Sequence, residues 1–125
     1  MLQYIVLFVL FSFVYRTYFA KETTVYYNSS IKPYLTVLEN YKNVYKHGYK
    51  KTVFHINRFY YYHFMKDLEK CKKHYEYIIN YLNQIAFRLE NDLQRDQELK
   101  KLIQNIETVL IQHLTLTAAK NDEHY

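Results

Sequence analysis

Six histidines and a single cysteine are the side chains of this sequence best suited to chemistry, and their spacing limits what they can do. His47, His55 and His63 recur at intervals of eight, roughly one face of a helix. Metal ligation from one helix uses a spacing of four with a carboxylate nearby, so that two imidazoles one turn apart reach the same ion. The three therefore read as solvated or interface histidines. Cys71 stands alone, which rules out an internal disulfide or a thiolate metal cluster, and it reads as a small helical residue. A phosphate cradle needs two or three glycines, and Gly48 is the only one. Carboxylates are interleaved with bases at helical spacing, as Asp67 is with Lys70, the pattern of surface ion pairs. One more group could bind. Lys50, Lys51 and Arg58 flank or join the ring run Phe59-Tyr60-Tyr61-Tyr62, charge beside stacking surface, as single-stranded nucleic acid requires. No catalytic residue, metal ligand or cofactor site is expected, and the chain reads as a non-enzyme without a small-molecule substrate.

The elements that would carry these residues are helices. One Gly and one Pro in 125 residues leave almost no material for hairpins or tight turns, so strands would lack their punctuation. Tyr 16 and Phe 8, with no Trp, are more large rings than so small a core can hide, and tyrosine suits half-wet contact surfaces. Abundant Phe, Tyr, Ile, Asn and Lys with scarce Gly, Ala, Pro and Arg also match A/T-rich codons, and hence an A/T-rich genome such as a mitochondrial or viral one. Charge is polarised along the chain. From Arg16 to Lys73 twelve bases face four acids, whereas from His74 onward five bases face eight acids.

Residues 2–15 carry no charge, and the run continues through Arg16 to Ala20 before Lys21 and Glu22. As a helix, residues 2–20 would measure about 28 Å at ~1.5 Å per residue, near the thickness of the hydrocarbon core. Tyr15 and Tyr18 sit where an aromatic belt would, Arg16 can snorkel to the interface, and Lys21 lies just beyond it. A cleaved signal ending near Ala20 is the alternative. No base precedes the apolar run, however, and Arg16 and Tyr18 fall where small neutral residues are wanted. A retained transmembrane helix over 1–20 is expected. All nearby lysines (Lys21, Lys32, Lys42, Lys46, Lys50, Lys51) follow the span, which places the N-terminus outside and the C-terminal bulk in the cytosol or mitochondrial matrix.

Asn28-Ser29-Ser30 followed by Pro33 reads as a helix start, with capping hydroxyls ahead of a first-turn proline. Leu35, Leu38, Tyr41, Tyr45 and Tyr49 then keep helical spacing beside a basic stripe of Lys42, Lys46 and Lys50. Residues 21–51 are read as a basic juxtamembrane amphipathic helix facing lipid headgroups, with a bend or end near Gly48. Residues 52–119 contain neither Gly nor Pro. Within them Leu68, Cys71, Tyr75, Ile78, Leu82, Ile85 and Leu89 alternate three and four apart, a seam for a partner helix. The phase slips past Leu93 and resumes at Leu99, Leu102, Ile106, Val109 and His113. The intervening Arg88–Asp96 is charged on nearly all sides. One long helix crossing solvent is favoured there, with a hairpin turn near Asn91–Asp92 as the alternative. Leu110, Ile111, Leu114 and Leu116 form a terminal face that wants a partner, and 120–125 is a polar tail. The fold class is all-α: one N-terminal transmembrane helix, then long amphipathic, coiled-coil-like helices.

Over residues 16–43, Arg16, Ala20-Lys21, Ile31 and Leu38 follow one another in an order similar to the segment just past the span in organelle-encoded b subunits of the mitochondrial F-type ATP synthase. The whole layout resembles that family. The resemblance implies an N-terminal span, a long matrix helix in the peripheral stalk, a role in bracing the catalytic head, and no catalytic residue. The expected function is a non-catalytic structural subunit of a mitochondrial inner-membrane complex, with the stalk of ATP synthase foremost. An accessory respiratory-chain subunit, a viral or secreted helical protein, and an RNA- or ribosome-binding module are the alternatives. Other subunits and lipid headgroups are the expected partners. Nucleic acid is disfavoured by the membrane segment.

Overall fold

The computed structural model describes residues 30–122, and these are helical nearly throughout. Helix α1 (Lys32–Leu38) runs into a 3-10 turn (Glu39–Tyr41); α2 (Lys46–Phe64), α3 (Leu68–Phe87) and α4 (Leu93–Asp122) follow, with no strand among the described residues. The expected membrane helix over 1–20, with Tyr15, Arg16, Tyr18 and Lys21, lies outside the described residues. Among those described, no helix is long and apolar enough to cross a membrane.

Helices α2 and α3 form an antiparallel pair. Its register is fixed by Gly48 against Ile85, His55 against His74, and Cys71 Sγ donating to the Phe59 carbonyl at 3.6 Å. The seam residues Cys71, Ile78, Leu82, Ile85 and Leu89 are buried, while Leu68 and Tyr75 are half-buried. They meet Ile56, Phe59 and Tyr60 of α2 and Leu99, Leu102, Ile103, Ile106 and Leu110 of α4 in one core. The seam is thus filled by this chain's own helices. Helix α1 lies antiparallel along α4: Ser30 reaches His113 at one end, and Tyr41 lies under Arg95 at the other.

Four boundaries differ from the sequence reading. Residues 21–51 are not one helix, because the chain breaks over Lys42–Tyr45 and restarts at Lys46 with Tyr45 extended at φ −155°. Gly48 does not make that break. It sits buried in the first turn of α2, where a Cβ would come within 2.6 Å of the Tyr45 ring and 3.2 Å of Ile85, so it permits close approach. Residues 52–119 are not one long helix but parts of three. The α3–α4 turn over Arg88–Asp92 is where the charged stretch offers no face to bury, and Asp92 opens α4 by accepting from the Arg95 N–H at 3.4 Å. The α2–α3 turn was not foreseen. Met65–Asp67 closes α2 with paired backbone bonds, Asp67 N–H to Tyr62 O at 3.0 Å and Lys66 N–H to His63 O at 3.1 Å, around Lys66 at φ 60°. Asp67 then caps α3 through the Lys70 N–H at 3.2 Å, and its ion pair with Lys70 Nζ is the looser contact at 3.9 Å. Lastly, α4 continues to Asp122, into the stretch expected as a tail.

Candidate functional site

The core consumes most of the apolar surface, so the large apolar side chains left outside mark where the molecule can meet something else. The four most exposed are Phe87 (74%), Leu93 (69%), Phe64 (61%) and Met65 (57%). They flank two of the three interhelical connections among the described residues, Met65–Asp67 and Arg88–Asp92. Phe64 and Met65 close α2 at one end of the bundle, while Phe87 and Leu93 bracket the α3–α4 turn at the other. A helix the length of α3 separates those ends by roughly 30 Å. On the terminal face expected to be sticky, Leu110 is buried and Leu114 half-buried, leaving Ile111 and Leu116 exposed.

At the Phe87 end a groove of about 620 Å³ is lined by Tyr45, Asn80, Asn83, Gln84, Phe87, Arg88, Glu90 and Asn91. Its chemistry is amide-rich with one apolar wall, suited to hydrogen-bonding a backbone or polar side chains beside an anchored ring. Arg88 is held in place, with its guanidinium 3.8 Å from the centre of the Tyr45 ring. Arg95 donates to the Asn40 carbonyl at 3.4 Å and covers Tyr41. The charged stretch that breaks the α3–α4 helix therefore clamps the α1–α2 junction.

Two histidine clusters are assembled from different helices, one part-way along α2 and α3 and the other beside the α2–α3 turn. In the first, His55 and His74 bring their Nδ1 atoms to 2.9 Å, so one ring donates an Nδ1–H to the bare Nδ1 of the other. Tyr62, Tyr77 and Tyr81 stack on this pair. Burial favours the neutral rings, as do Lys51 and Arg58 beside His55. His74 is pushed down to about 4 by burial, then by His55, Arg58 and Lys73. In the second cluster the Thr117 hydroxyl donates to the His113 carbonyl at 2.9 Å and so must accept from His63 Nδ1–H at 2.6 Å. His113 packs edge-on against Tyr60 and His63, and its Nε2 meets Ser30 Oγ at 3.3 Å. Burial lowers its pKa and raises that of Tyr60 to about 12.

These contacts redistribute the residues singled out in the sequence. His47, His55 and His63 share a helix yet separate: His47 lies by Tyr45 and Tyr81, His55 by His74, and His63 by Thr117. Among the described residues no three His, Cys, Asp or Glu side chains converge as a metal site would require. Cys71 is buried, and burial, with Asp67 adding to it, pushes its thiol up to about 12. The Phe59–Tyr62 run does not form a stacking platform, because Phe59 and Tyr60 belong to the core. Ser30 does not cap α1, whose N-cap is Ile31 without a side-chain bond; it serves His113 instead. The His55–His74 pair and the Phe87 groove were missed, since each joins α3 to a residue in α2 or just before it, whose proximity depends on the fold-back of α2 on α3. Compared with protein-family models, curated proteins and solved structures, the chain shows no significant match to any.

Proposed function

We propose that this chain is a non-catalytic structural subunit of a membrane-bound multi-subunit complex, a helical bracket anchored through residues 1–20 and offering the groove around Phe87 to a helix of a partner subunit. The observation that carries the reading is the placement of exposed apolar bulk. The seam is consumed internally, and the four most exposed apolar side chains, Phe64, Met65, Phe87 and Leu93, flank the α2–α3 and α3–α4 turns, while Val37, Phe54, Tyr77, Ile111 and Leu116 are less exposed along the helices. Phe87, set among Asn80, Asn83, Gln84 and Asn91, supplies the mix of one ring anchor and adaptable polar contacts that subunit interfaces use. The A/T-biased composition and the lysines after the uncharged run support a mitochondrial inner membrane, N-terminus out and bulk in the matrix.

Within that class two readings stand. The resemblance over residues 16–43 supports the peripheral stalk of ATP synthase. The fold-backs at Met65–Asp67 and Arg88–Asp92 favour a compact accessory subunit of a respiratory complex over a continuous stalk helix. Detergent extraction of native membranes, native gel separation and mass spectrometry decide between them. Comigration with one of these assemblies, Met1 retained, is expected. Recovery as a soluble species lacking residues 1–20 overturns the anchored reading.

A further inference from the structure

The chain leads into the described bundle at one definite place. Ser30, the first described residue, lies against His113, and His113 packs on Tyr60 and His63. Phe64 and Met65 follow His63 directly, so Ser30 lies toward the α2–α3 turn and not at the Phe87 end. At that turn Phe64 and Met65 are exposed beside Lys66.

The two ends also differ in charge. From Lys66 to Lys73 four exposed lysines (Lys66, Lys70, Lys72, Lys73) stand against Asp67 and Glu69, and Lys32 follows Ser30. Asp67 is further occupied in capping α3. Around the far turn and the α1–α2 junction beside it, Lys42, Lys46, Arg88, Arg95 and Lys100 are balanced by Glu39, Glu90, Asp92, Asp96 and Glu98, with Lys100 paired to Asp96. One end therefore pairs exposed apolar bulk with positive charge, the combination that enters an anionic headgroup layer, and the other does not. Lys66 adds a backbone argument. A left-handed residue at this helix stop is ordinarily glycine, and a lysine there is strained where a glycine is not. The position holds a long cationic side chain at the tip of the turn.

We propose that the α2–α3 turn, Phe64–Lys66, inserts into the headgroup zone of an anionic membrane, with Lys70 and Lys73 above it, so that the bundle stands with the Phe87 groove pointing away from the lipid. This rests on the anchored reading and adds an orientation to it. It also moves the lipid contact from the Lys42, Lys46 and Lys50 stripe, which the break at Lys42–Tyr45 divides, to the opposite end of α2.

The chain has no tryptophan, so each end can carry the sole indole. Full-length Phe64→Trp and Phe87→Trp proteins are reconstituted into phosphatidylglycerol-containing vesicles and into phosphatidylcholine vesicles. On the anionic vesicles, the Phe64→Trp emission should shift blue and be quenched several-fold more by brominated lipid than that of Phe87→Trp, with the order reversed for aqueous iodide. Lys66→Gln and Lys70→Gln in the Phe64→Trp background should each shift the lipid-contact equilibrium about fivefold toward solvent, the worth of one lysine near an anionic surface. Vesicle-bound protein whose Phe64→Trp and Phe87→Trp indoles are equally open to iodide overturns the orientation alone. Failure of the full chain to float with either vesicle overturns the anchor and the orientation together.

Discussion

Gly48→Ala should destabilise this protein, although a glycine-to-alanine change inside a helix ordinarily helps. Alanine gains about 0.5–1 kcal/mol of helix preference over glycine. Here the added methyl carbon would sit 2.6 Å from Tyr45 Cδ2, 3.1 Å from Cε2 and 3.2 Å from Ile85 Cγ1. The ring cannot simply swing out, because Arg88 lies 3.8 Å over it and Ile85 is fully buried behind. Overpacking of this kind costs about 1–3 kcal/mol, so a net loss of about 1 kcal/mol is expected. For a bundle of this size that is roughly 4–8 °C in Tm. Helical circular dichroism of the full chain in mild detergent, followed through heating, reads it directly. A double-mutant cycle isolates the cause: with Tyr45→Ala in place, Gly48→Ala should become neutral or stabilising. A rise in Tm for Gly48→Ala in the native background would refute the claim that this glycine exists for contact.

Three further outcomes follow from the same geometry. The His55–His74 pair is favoured neutral, so its stability is complete above the unfolded imidazole pKa of about 6.5 and is lost as pH falls toward about 4; with partial exposure discounted, the loss is about 1–2 kcal/mol. Proton NMR should titrate His74 near 4, and His74→Phe should flatten the stability profile between those limits; a midpoint near 6.5 would contradict the packing. Lys66→Gly should raise stability by about 1 kcal/mol in chemical denaturation, by relieving the left-handed lysine at φ 60°; no gain would mean the turn stores no strain. Leu82→Ala, at a fully buried seam position, should cost about 3 kcal/mol in the same assay, and a loss below 1 kcal/mol would place the seam outside the core.

The helical class was legible because turn-forming residues are nearly absent, and the α3 seam because seven residues hold a three–four alternation. The turn at Asn91–Asp92 was visible only as an alternative, since charge on all sides suits either a solvent-crossing helix or a loop. The break at Met65–Asp67 carried a quieter signal. Asp67 ahead of Leu68 and Glu69 is a cap-and-first-turn pattern, but the stop itself is made by a lysine in the conformation usually given to glycine. Gly48 misled in the opposite direction, because a glycine used for close approach looks in sequence like one used for bending. Contacts across helices, such as His55 with His74, depend on where the chain reverses and had no local pattern to betray them.

The central claim is that the Phe87 end holds a partner subunit while the chain stays at the membrane. Its most direct test places a photo-crosslinking amino acid at Phe87 in one variant and at exposed Glu76, midway along α3, in a control, followed by irradiation of native membranes. The account predicts one dominant adduct from the Phe87 position, to a subunit that also copurifies stoichiometrically with the unmodified chain, and little from Glu76. A chain recovered free from both positions, with no copurifying subunit, would contradict it.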